Sequence, residues 1–348
     1  MKDYLYNLVT DKERGFFASI FKFILLLGSF IYGALIRGLI LFYSLRPARL
    51  ECKVISIGNI TLGGTGKTSL VELASRYLKE KGHKVAILSR GYKKLRLEMG
   101  DEPLMLFRNL GDVPVIVDHD RVRGAKRAVK EYGADTVILD DGMQQWRIKK
   151  DLEIVTISVP QAFGNRNMLP RGILREPLSA LGNADIFVLT KVCPGSNLNN
   201  IENTLSKVNP EALIAESVHE ALGFYEINNP DKLLKLNYLK GKSVCLLSGI
   251  ADPDSFAGLT AGLGIKTGLD LRFSDHHNYS EEDLSGIDAK CEKENLSIIL
   301  TTEKDAARLS ESKLQLFKEY QVLVLRVALK ITKNEEQFLN RLLSLYSL

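Results

Sequence analysis

The residues best suited to carry chemistry lie in a glycine-rich segment, GNITLGGTGKT, at positions 58–68. It follows a run of residues that predicts a strand and precedes one that predicts a helix. Glycines let backbone N–H groups approach phosphate oxygens, and a helix start adds the positive end of its dipole. Lys67 can reach the β- and γ-phosphates, and Thr68 can ligate magnesium. The segment therefore predicts a nucleotide-binding phosphate loop that comprises Gly63, Gly64, Thr65, Gly66, Lys67, Thr68 and Ser69.

This loop departs from the usual pattern GxxxxGK[ST] at one position. Thr61 stands where the first glycine is expected, and the strand-terminal Gly58 lies three residues earlier. The loop is therefore predicted to be longer than the common form or differently shaped. A glycine-rich turn without a ligand is the alternative interpretation.

Two carboxylates, Asp140 and Asp141, follow the apolar run TVIL at positions 136–139. At the carboxyl edge of a parallel sheet, beside a phosphate loop, such residues can hold magnesium directly or through water. The end of a later predicted strand indicates which nucleotide the protein prefers. Its residues, TKVC at 190–193, lack the carboxylate of the guanine-specific Asn/Thr-Lys-x-Asp motif. Because cysteine cannot replace that acceptor, ATP is favoured over GTP.

Cationic residues open a predicted helix at 121–132. Arg121 and Arg123 stand where the helix dipole favours anions. A bound phosphate would resolve this conflict, so both are candidate anion ligands, although a solvated helix face has the same spacing. Candidates for a proton acceptor are Asp101, in GDEP, and the adjacent His276 and His277. Helix capping and a surface position are the alternatives for these three residues.

The remaining pattern predicts a parallel α/β fold. Short β-branched runs alternate with helical stretches after Pro47. Strands are expected at 53–57, 84–88, 113–117, 136–139, 152–157, 185–189, 243–248, 298–301 and 322–325, and helices at 69–81 and 121–132. Residues 159–176 contain two prolines and two glycines and form an unusually long connection, which suggests a functional loop.

The N-terminal segment predicts a membrane-associated helix. Residues 23–36 and 38–45 carry no charge, and aromatic, Lys and Arg residues near their ends suit a headgroup region. Neither run reaches the length of a confident spanning helix, so a helix in or on one leaflet is favoured over a buried core helix. We therefore expect three segments: 1–49, this helix; 50–228, a phosphate-loop core; and 229–348, a smaller α/β lobe.

Composition excludes several classes of protein. The 348 residues are 45% hydrophobic and 26% charged, which is typical of folded domains. The net charge is +5, and residues 1–49, with seven Lys/Arg and three Asp/Glu, supply +4 of it. A nearly neutral remainder argues against a nucleic-acid binder. The four cysteines form no metal-binding spacing, so free, mostly buried thiols in a reducing compartment are expected.

Taken together, the motifs resemble the tetraacyldisaccharide 4'-kinase family, the lipid A 4'-kinases of Gram-negative bacteria. The resemblance runs in order over nearly the whole chain. It covers the hydrophobic N-terminus and the segments GNITLGGTGKT, SRGY, GDEP, DRVRGA, DDGMQQ, FGNRNMLPRGILREPLSAL, FSDHHNY and LTTEKD.

The resemblance implies transfer of the ATP γ-phosphate to the 4'-hydroxyl of an acylated glucosamine disaccharide 1-phosphate lipid. It places the enzyme at the cytoplasmic face of the inner membrane, with Mg²⁺ as cofactor. It implies that Asp101 is the general base and that His276 orients it. The remaining implied roles are phosphate and magnesium binding by Lys67, Thr68, Asp140, Asp141 and Glu176, and substrate contact by Arg121, Arg123, Gln144, Asn165 and Arg175.

Some positions differ from the family pattern. Where the family has DDGFQH, this chain has Met143 and Gln145, and Arg166 and Arg171 make the 159–176 loop more cationic than usual. Two other functions stay open on the sequence alone: a membrane-tethered ATPase switch without a sugar acceptor, and a soluble ATP-dependent ligase or small-molecule kinase.

Overall fold

The computed structural model of the chain describes residues 2–90, 100–193, 195–309 and 311–347. Two residues of the SRGY motif, Gly91 and Tyr92, lie outside this set. The α-helices of the described residues are α1 (Lys2–Val9), α2 (Phe16–Ser44), α3 (Lys67–Glu80), α4 (Asp101–Leu110), α5 (Arg121–Tyr132), α6 (Asn199–Val208), α7 (Pro253–Gly262), α8 (Glu281–Lys293), α9 (Glu303–Ala306), α10 (Glu311–Leu314) and α11 (Glu335–Leu343). Short 3-10 helices lie at Leu178–Asn183, Leu236–Leu239 and Gln315–Phe317.

The strands confirm the predicted α/β class. They are β1 (Lys53–Gly58), β2 (Val85–Ser89), β3 (Val115–Val117), β4 (Thr136–Asp140), β5 (Leu152–Ser158), β6 (Ile186–Thr190), β7 (Leu213–Glu226), β8 (Asn229–Leu234), β9 (Ser243–Ser248), β10 (Lys266–Arg272), β11 (Ile298–Thr302) and β12 (Gln321–Lys333). Each predicted strand is present with small shifts at its ends, except that β12 is much longer than expected. β7, β8 and β10 were not predicted, because polar, charged or glycine residues interrupt each of them, so none forms a continuous apolar run. β8 and β10 are also mostly exposed.

The chain forms two compact units whose segments alternate along the sequence. The first unit comprises Met1–Gly91, Asn109–Val218 and Leu329–Leu348, and the second comprises Tyr92–Arg108 and His219–Ala328. The three contiguous segments expected from the sequence follow different boundaries, and their standing as domains stays a prediction.

The first unit contains the parallel strand order β3-β2-β4-β1-β5-β6-β7. β1 and β4 are central, and their register pairs Ile57 with Asp140. The phosphate-loop segment and the paired carboxylates therefore leave the sheet at the same edge, as parallel strands require. Apolar clusters cover the sheet, one around Met143 and Phe187 and the other around Leu88 and Val137.

The second unit contains the parallel order β10-β9-β11-β12, and β7 pairs with β8 as an antiparallel hairpin. Its core packs Cys245, Cys291 and Tyr279 among aliphatic residues. A capping box between Ser280 and Asp283 starts α8, and this fixes where the preceding FSDHHNY segment ends. All four cysteines are free, and only Cys193 among them is exposed.

The N-terminal helix α2 is largely exposed. It has 29 residues, and of these Ala18, Ser29 and Gly33 are buried. Its most apolar window is 11% buried, and by length and composition alone it is able to cross a membrane. The alternative of a buried core helix is therefore wrong, since the large apolar side chains of α2 lie on its surface.

One turn of α2 docks on the 159–176 loop. Ser29 Oγ donates to the carbonyl of Met168 (2.7 Å) and accepts from the amide of Arg171 (2.9 Å). The Tyr32 hydroxyl donates to the carbonyl of Arg175 (3.0 Å). A Cβ at Gly28 would lie 3.2 Å from Pro170, so the small residue permits this approach. The loop is therefore held by polar contacts to a mostly apolar helix.

Gly58, at the end of β1, is required for a close backbone approach. A Cβ there would lie 2.5 Å from the backbone nitrogen of Met143, in the turn after β4. We expect Gly58→Ala to reduce the free energy of unfolding by about 2 kcal/mol or more, because the backbone of that turn must move. Thermal or urea unfolding measures the change. Gly258→Ala is the control, since a Cβ there meets nothing within 4 Å in α7; equal losses in both variants would contradict the packing argument.

Candidate active site

The extra length of the phosphate loop has a structural explanation. The Leu62 amide donates to the Ile173 carbonyl (2.8 Å), and the Arg175 amide donates to the Ile60 carbonyl (2.7 Å). Thr61, the residue in place of the usual glycine, forms an antiparallel bridge with Leu174. The first half of the loop therefore pairs with the 159–176 loop, and the second half turns towards α3.

The second half of the loop adopts a conformation that glycine permits. Gly63 has φ +106° and Gly66 has φ +80°, and both values lie in the left-handed region. Gly66 is the N-cap of α3, which begins at Lys67. Gly64, Lys67 and Ser69 are half-buried around the helix start. The structure therefore brings the predicted ATP-binding residues together at a helix N-terminus, where amides are available to an anion.

Threonine hydroxyls anchor this half of the loop. Thr65 Oγ1 is 2.7 Å from Thr156 Oγ1, and Thr190 Oγ1 donates to the Thr65 carbonyl (2.9 Å). Thr190, the first residue of the incomplete guanine-binding motif, thus has a structural role at the loop. Thr68 is buried, and within the described chain its hydroxyl has no hydrogen-bond partner. That hydroxyl is therefore a candidate ligand for a metal ion at the loop.

Lys67 lies in a network of four polar side chains. Its Nζ donates to Asn59 Oδ1 (3.0 Å) and is 3.6 Å from Asp141 Oδ1. Arg175 Nη1 and Nη2 donate to the two oxygens of Asp141, each at 2.9 Å, and Nη1 also donates to Asn59 Oδ1 (3.0 Å). Sequence reasoning did not single out Asn59, although it lies in the glycine-rich segment.

This network sets the ionisation of Asp141. Burial raises the pKa of its carboxyl, but the hydrogen bond from Arg175 and the charge of Lys67 outweigh burial and hold the pKa below its usual value. Asp141 also has φ +56°, a conformation that Asp tolerates better than most residues. The carboxylate is therefore charged and directed by two cations.

Asp140 and Glu176 are both buried but differ in environment. Asp140 accepts a long hydrogen bond from Ser89 (3.4 Å). Glu176 Oε1 accepts from Gln144 Nε2 (2.8 Å) and from Trp146 Nε1 (3.3 Å), and burial raises the pKa of this carboxyl despite those bonds. Trp146 was not among the predicted residues. Gln144 also has a buried Oε1 atom without a hydrogen-bond partner in the described chain.

Across the described ranges, no group of three or more His, Cys, Asp or Glu side chains lies close enough together to hold a metal ion. Magnesium keeps most of its water ligands and often takes only one or two protein oxygens. The Thr68 hydroxyl and the Asp140 carboxylate have the oxygen chemistry that such a site needs. Asp141 is already paired with Arg175 and Lys67, and Glu176 is held by Gln144 and Trp146.

The start of α5 needs no bound phosphate to balance its charge. Asp120 caps the helix by accepting from the amides of Val122 and Arg123. Arg123 donates to both oxygens of Asp118 (2.8 and 2.7 Å). The proposed conflict with the helix dipole is thus resolved within the chain, although Arg123 stays exposed enough to contact a substrate.

Arg121 differs from Arg123 because its guanidinium is buried. Nη1 donates to the Asp118 carbonyl (2.6 Å), and Nε has no hydrogen-bond partner among the described residues. Burial lowers the pKa of this group, and the nearby Asp140 and Asp141 oppose that change. Arg121 therefore faces the strand end with the two carboxylates, and its predicted substrate contact stays a prediction.

Within the described residues, the hydrogen bonds of Asn165 do not involve the Lys67 network. Its Nδ2 donates to the carbonyl of Val9 (2.8 Å) and to that of Arg171 (3.1 Å). Asp11 binds Arg171 and Lys22 there; partial burial raises its pKa, but those hydrogen bonds lower it to about 2. Asn165 therefore joins the 159–176 loop to the end of α1, and its predicted substrate contact stays a prediction.

The second unit contains Asp101 and His276, the predicted general base and the histidine predicted to orient it. His276 Nδ1 is 2.9 Å from Asp101 Oδ2, and Asp101 begins α4. Burial raises the pKa of Asp101, but hydrogen bonds from His276 and Arg308 outweigh it and hold the pKa well below its usual range. The hydrogen bond to Asp101 raises the pKa of His276. Arg308 was missed, because no motif in the sequence indicated its role.

The structure separates the two adjacent histidines. His277 Nε2 is 2.9 Å from Asp283 Oδ2, and its ring stacks on Phe273. His276 has a backbone φ of +58°, and its side chain contacts Asp101 instead. His277 thus supports the start of α8, and His276 is the histidine that pairs with the predicted base.

A phosphate loop that opens a helix in a parallel α/β sheet, with carboxylates at the adjacent strand end, defines a P-loop nucleotide-binding protein. A family model described as tetraacyldisaccharide-1-P 4'-kinase matches residues 21–346. The chain belongs to that family.

Individual relatives agree with this assignment. A tetraacyldisaccharide 4'-kinase of Halothermothrix orenii is 33% identical and spans 98% of each chain. One of Elusimicrobium minutum is 35% identical, over 82% of this chain and 81% of the relative. A crystal structure of LpxK from Aquifex aeolicus in complex with ATP has a TM-score of 0.72 and 26% identity, and the match covers 94% of this chain and 100% of that one.

Tyr32 of α2 connects the N-terminal helix to the Lys67 network through the Arg175 backbone. We expect Tyr32→Phe to weaken ATP binding roughly two- to tenfold, the usual net effect of one lost hydrogen bond, because Arg175 loses a restraint. Isothermal titration calorimetry measures this. Tyr43→Phe on the same helix is the control, since within the described residues its hydroxyl has no partner. An unchanged dissociation constant in Tyr32→Phe would show that α2 does not influence the network.

Proposed function

We propose that this protein transfers the γ-phosphate of ATP to the 4'-hydroxyl of a tetraacyldisaccharide 1-phosphate in lipid A biosynthesis. The observation that supports this most directly is the family match over residues 21–346. That range includes the whole phosphate loop, the Lys67 network and the pair Asp101–His276. ATP is the expected donor because a family relative was solved with ATP.

The proposed donor site uses the first unit. Backbone amides of residues 63–69 and the ammonium of Lys67 would hold the phosphates and stabilise charge on the leaving diphosphate. Thr68 and Asp140 would hold Mg²⁺, with Asp141 as the further candidate, and the ion would supply charge neutralisation. Arg175 keeps Asp141 ionised and orients Lys67 through the shared contact with Asn59. Gln144 and Trp146 keep Glu176 in place.

The proposed acceptor chemistry uses the second unit. Asp101 would accept the proton of the 4'-hydroxyl, and His276 would hold the carboxylate through Nδ1. The pKa of Asp101 lies well below its usual range, so this carboxylate is ionised at neutral pH. Such a weak base suits a loose transition state, in which the hydroxyl keeps its proton until the bond to the leaving group has largely broken.

The acceptor lipid explains the N-terminal helix. An acylated sugar stays in a membrane, so an enzyme on that surface finds it by a search in two dimensions. The exposed apolar face of α2, together with Arg123, Arg166 and the basic residues of the N-terminus, is suited to an anionic leaflet. We therefore propose that the protein acts at the cytoplasmic face of the inner membrane.

A γ-phosphate transfer assay with radiolabelled ATP and purified disaccharide 1-phosphate lipid tests the function. The native protein should label the lipid, and Lys67→Ala should lose both labelling and ATP affinity. Asp101→Asn should lower kcat about 10²- to 10⁴-fold with little change in ATP affinity, because it removes the proton acceptor and Asp101 is not part of the phosphate loop. Labelling by Lys67→Ala at the native rate would contradict the donor site, and normal turnover by Asp101→Asn would remove Asp101 from the mechanism. ATP hydrolysis without lipid labelling would instead support a nucleotide switch.

The membrane role of α2 is testable separately. Phe23 and Phe30 are 61% and 67% exposed on this helix. We expect Phe23→Ser combined with Phe30→Ser to reduce binding to phosphatidylcholine–phosphatidylglycerol vesicles at least about tenfold, because two large apolar groups no longer enter the lipid. Co-sedimentation measures the binding. Leu222→Ser with Leu233→Ser, two exposed leucines of the second unit, is the matched control. Equal binding by both double variants would overturn the proposal.

A further inference from the structure

Arg308 is a buried arginine just after α9, and its side chain is 4% exposed. Nε and Nη2 donate to Asp101 Oδ2 at 3.0 and 2.6 Å. Nη1 donates to the Gly249 carbonyl (2.7 Å) and to Asp305 Oδ1 (3.1 Å). A buried guanidinium is costly unless its donors are matched in this way. Arg308 thus joins the start of α4 to the end of β9 and to α9.

Every side-chain hydrogen bond that the described residues make to Asp101 falls on one oxygen. Oδ2 accepts both bonds from Arg308 and is also 2.9 Å from His276 Nδ1. Oδ1 has no hydrogen-bond partner in the part of the chain that the structure describes. A carboxylate held through one oxygen presents the other in a fixed direction.

The neighbouring backbone and side chains limit the movement of Arg308. The Gly249 amide donates to both oxygens of Asp305 (3.1 Å each), and the Tyr279 hydroxyl donates to Asp305 Oδ1 (3.0 Å). The His276 amide donates to the Gly249 carbonyl (3.2 Å). Asp305 is fully buried. Arg308 therefore lies in a rigid frame, which an exposed ion pair does not provide.

We propose that Arg308 is a positioning residue for phosphoryl transfer: with His276 it holds Oδ2 of Asp101, so that Oδ1 is the oxygen that takes the proton. The inference rests on the proposed function. In the step, the acceptor O–H proton moves to Oδ1, and the electron pair of that bond forms the new O–P bond. The bond between the γ-phosphorus and its bridging oxygen breaks, and its electron pair leaves with ADP.

The charges around Asp101 show what loss of Arg308 would change. Among the described residues, the charged and titratable groups that face the carboxyl, its direct partners or their neighbours are Arg308, His276, Asp305, Tyr279, Asp275, Lys304 and Glu102. Because hydrogen bonds from His276 and Arg308 depress the pKa of Asp101, removal of the guanidinium raises that pKa. The acidic limb of the kcat–pH profile then moves to higher pH, since the protonated carboxyl cannot accept a proton.

Two substitutions separate position from charge. Arg308→Lys keeps the charge but loses the planar fork, and we expect kcat to fall at least ~10-fold with an unchanged KM for ATP. Arg308→Met removes the charge as well. We expect its kcat to fall further, and the acidic limb of its kcat–pH profile to move to higher pH. Arg326→Lys is the matched control, because Arg326 also pairs with a buried carboxylate, Glu303, in the second unit. We expect its kcat to stay within about twofold of the native value, with an unchanged profile.

A second readout does not need turnover. The NMR titration of isotope-labelled aspartate carboxyls, assigned with Asp101→Asn, should show a higher Asp101 pKa in Arg308→Met than in the native protein. If Arg308→Met does not fold, Arg308→Lys still decides the question, because a positioning role predicts a lower kcat at an unchanged KM for ATP. Native kcat and pH profile in a folded Arg308→Lys or Arg308→Met would overturn the proposal, as would an unchanged Asp101 titration. If the native protein itself fails to label the lipid, the proposed function fails, while the titration still reports whether Arg308 controls Asp101.

Discussion

The bidentate contact between Arg175 and Asp141 is the interaction on which the first unit depends. Arg175 belongs to the 159–176 loop, and Asp141 follows β4, so the contact joins the long loop to the sheet edge. The same guanidinium shares Asn59 with Lys67, and the Arg175 backbone pairs with the phosphate loop and with Tyr32 of α2. One residue thus connects the nucleotide-binding loop, the carboxylates and the N-terminal helix.

The buried carboxyl groups differ in pKa because different hydrogen-bond donors surround them. Hydrogen bonds from His276 and Arg308 outweigh burial at Asp101, and the hydrogen bond from Arg175 with the charge of Lys67 outweighs it at Asp141, so the pKa of each lies below its usual value. At Glu176 the donors are neutral and burial raises the pKa. At Glu153 burial raises the pKa to about 7, although Lys150 and Ser56 contact the carboxyl. Among these four acids, the pKa is therefore lowered at the two that an arginine contacts and raised at the two where burial dominates.

Local signals predicted much of the fold and part of the site. The phosphate loop, the carboxylates after β4 and most strands follow from short patterns, because apolar runs and glycine spacing act over a few residues. The resemblance in sequence also predicted the pair Asp101–His276, which spacing alone could not. β7 and β8 escaped prediction because polar and charged residues interrupt the apolar residues of both strands, and β8 is almost wholly exposed.

The sequence by itself determined the class of protein, its phosphate loop and the apolar character of its first helix, since these depend on residue types close together in the chain. Only the tertiary structure decided which partner each charged group has. Arg308 reaches Asp101 across 207 positions, and Ser29 meets Met168 across 139. It also decided that Arg121 is buried while Arg123 is exposed, and that His276 rather than His277 meets the carboxylate. Such pairings depend on where distant segments pack, and no local pattern encodes them.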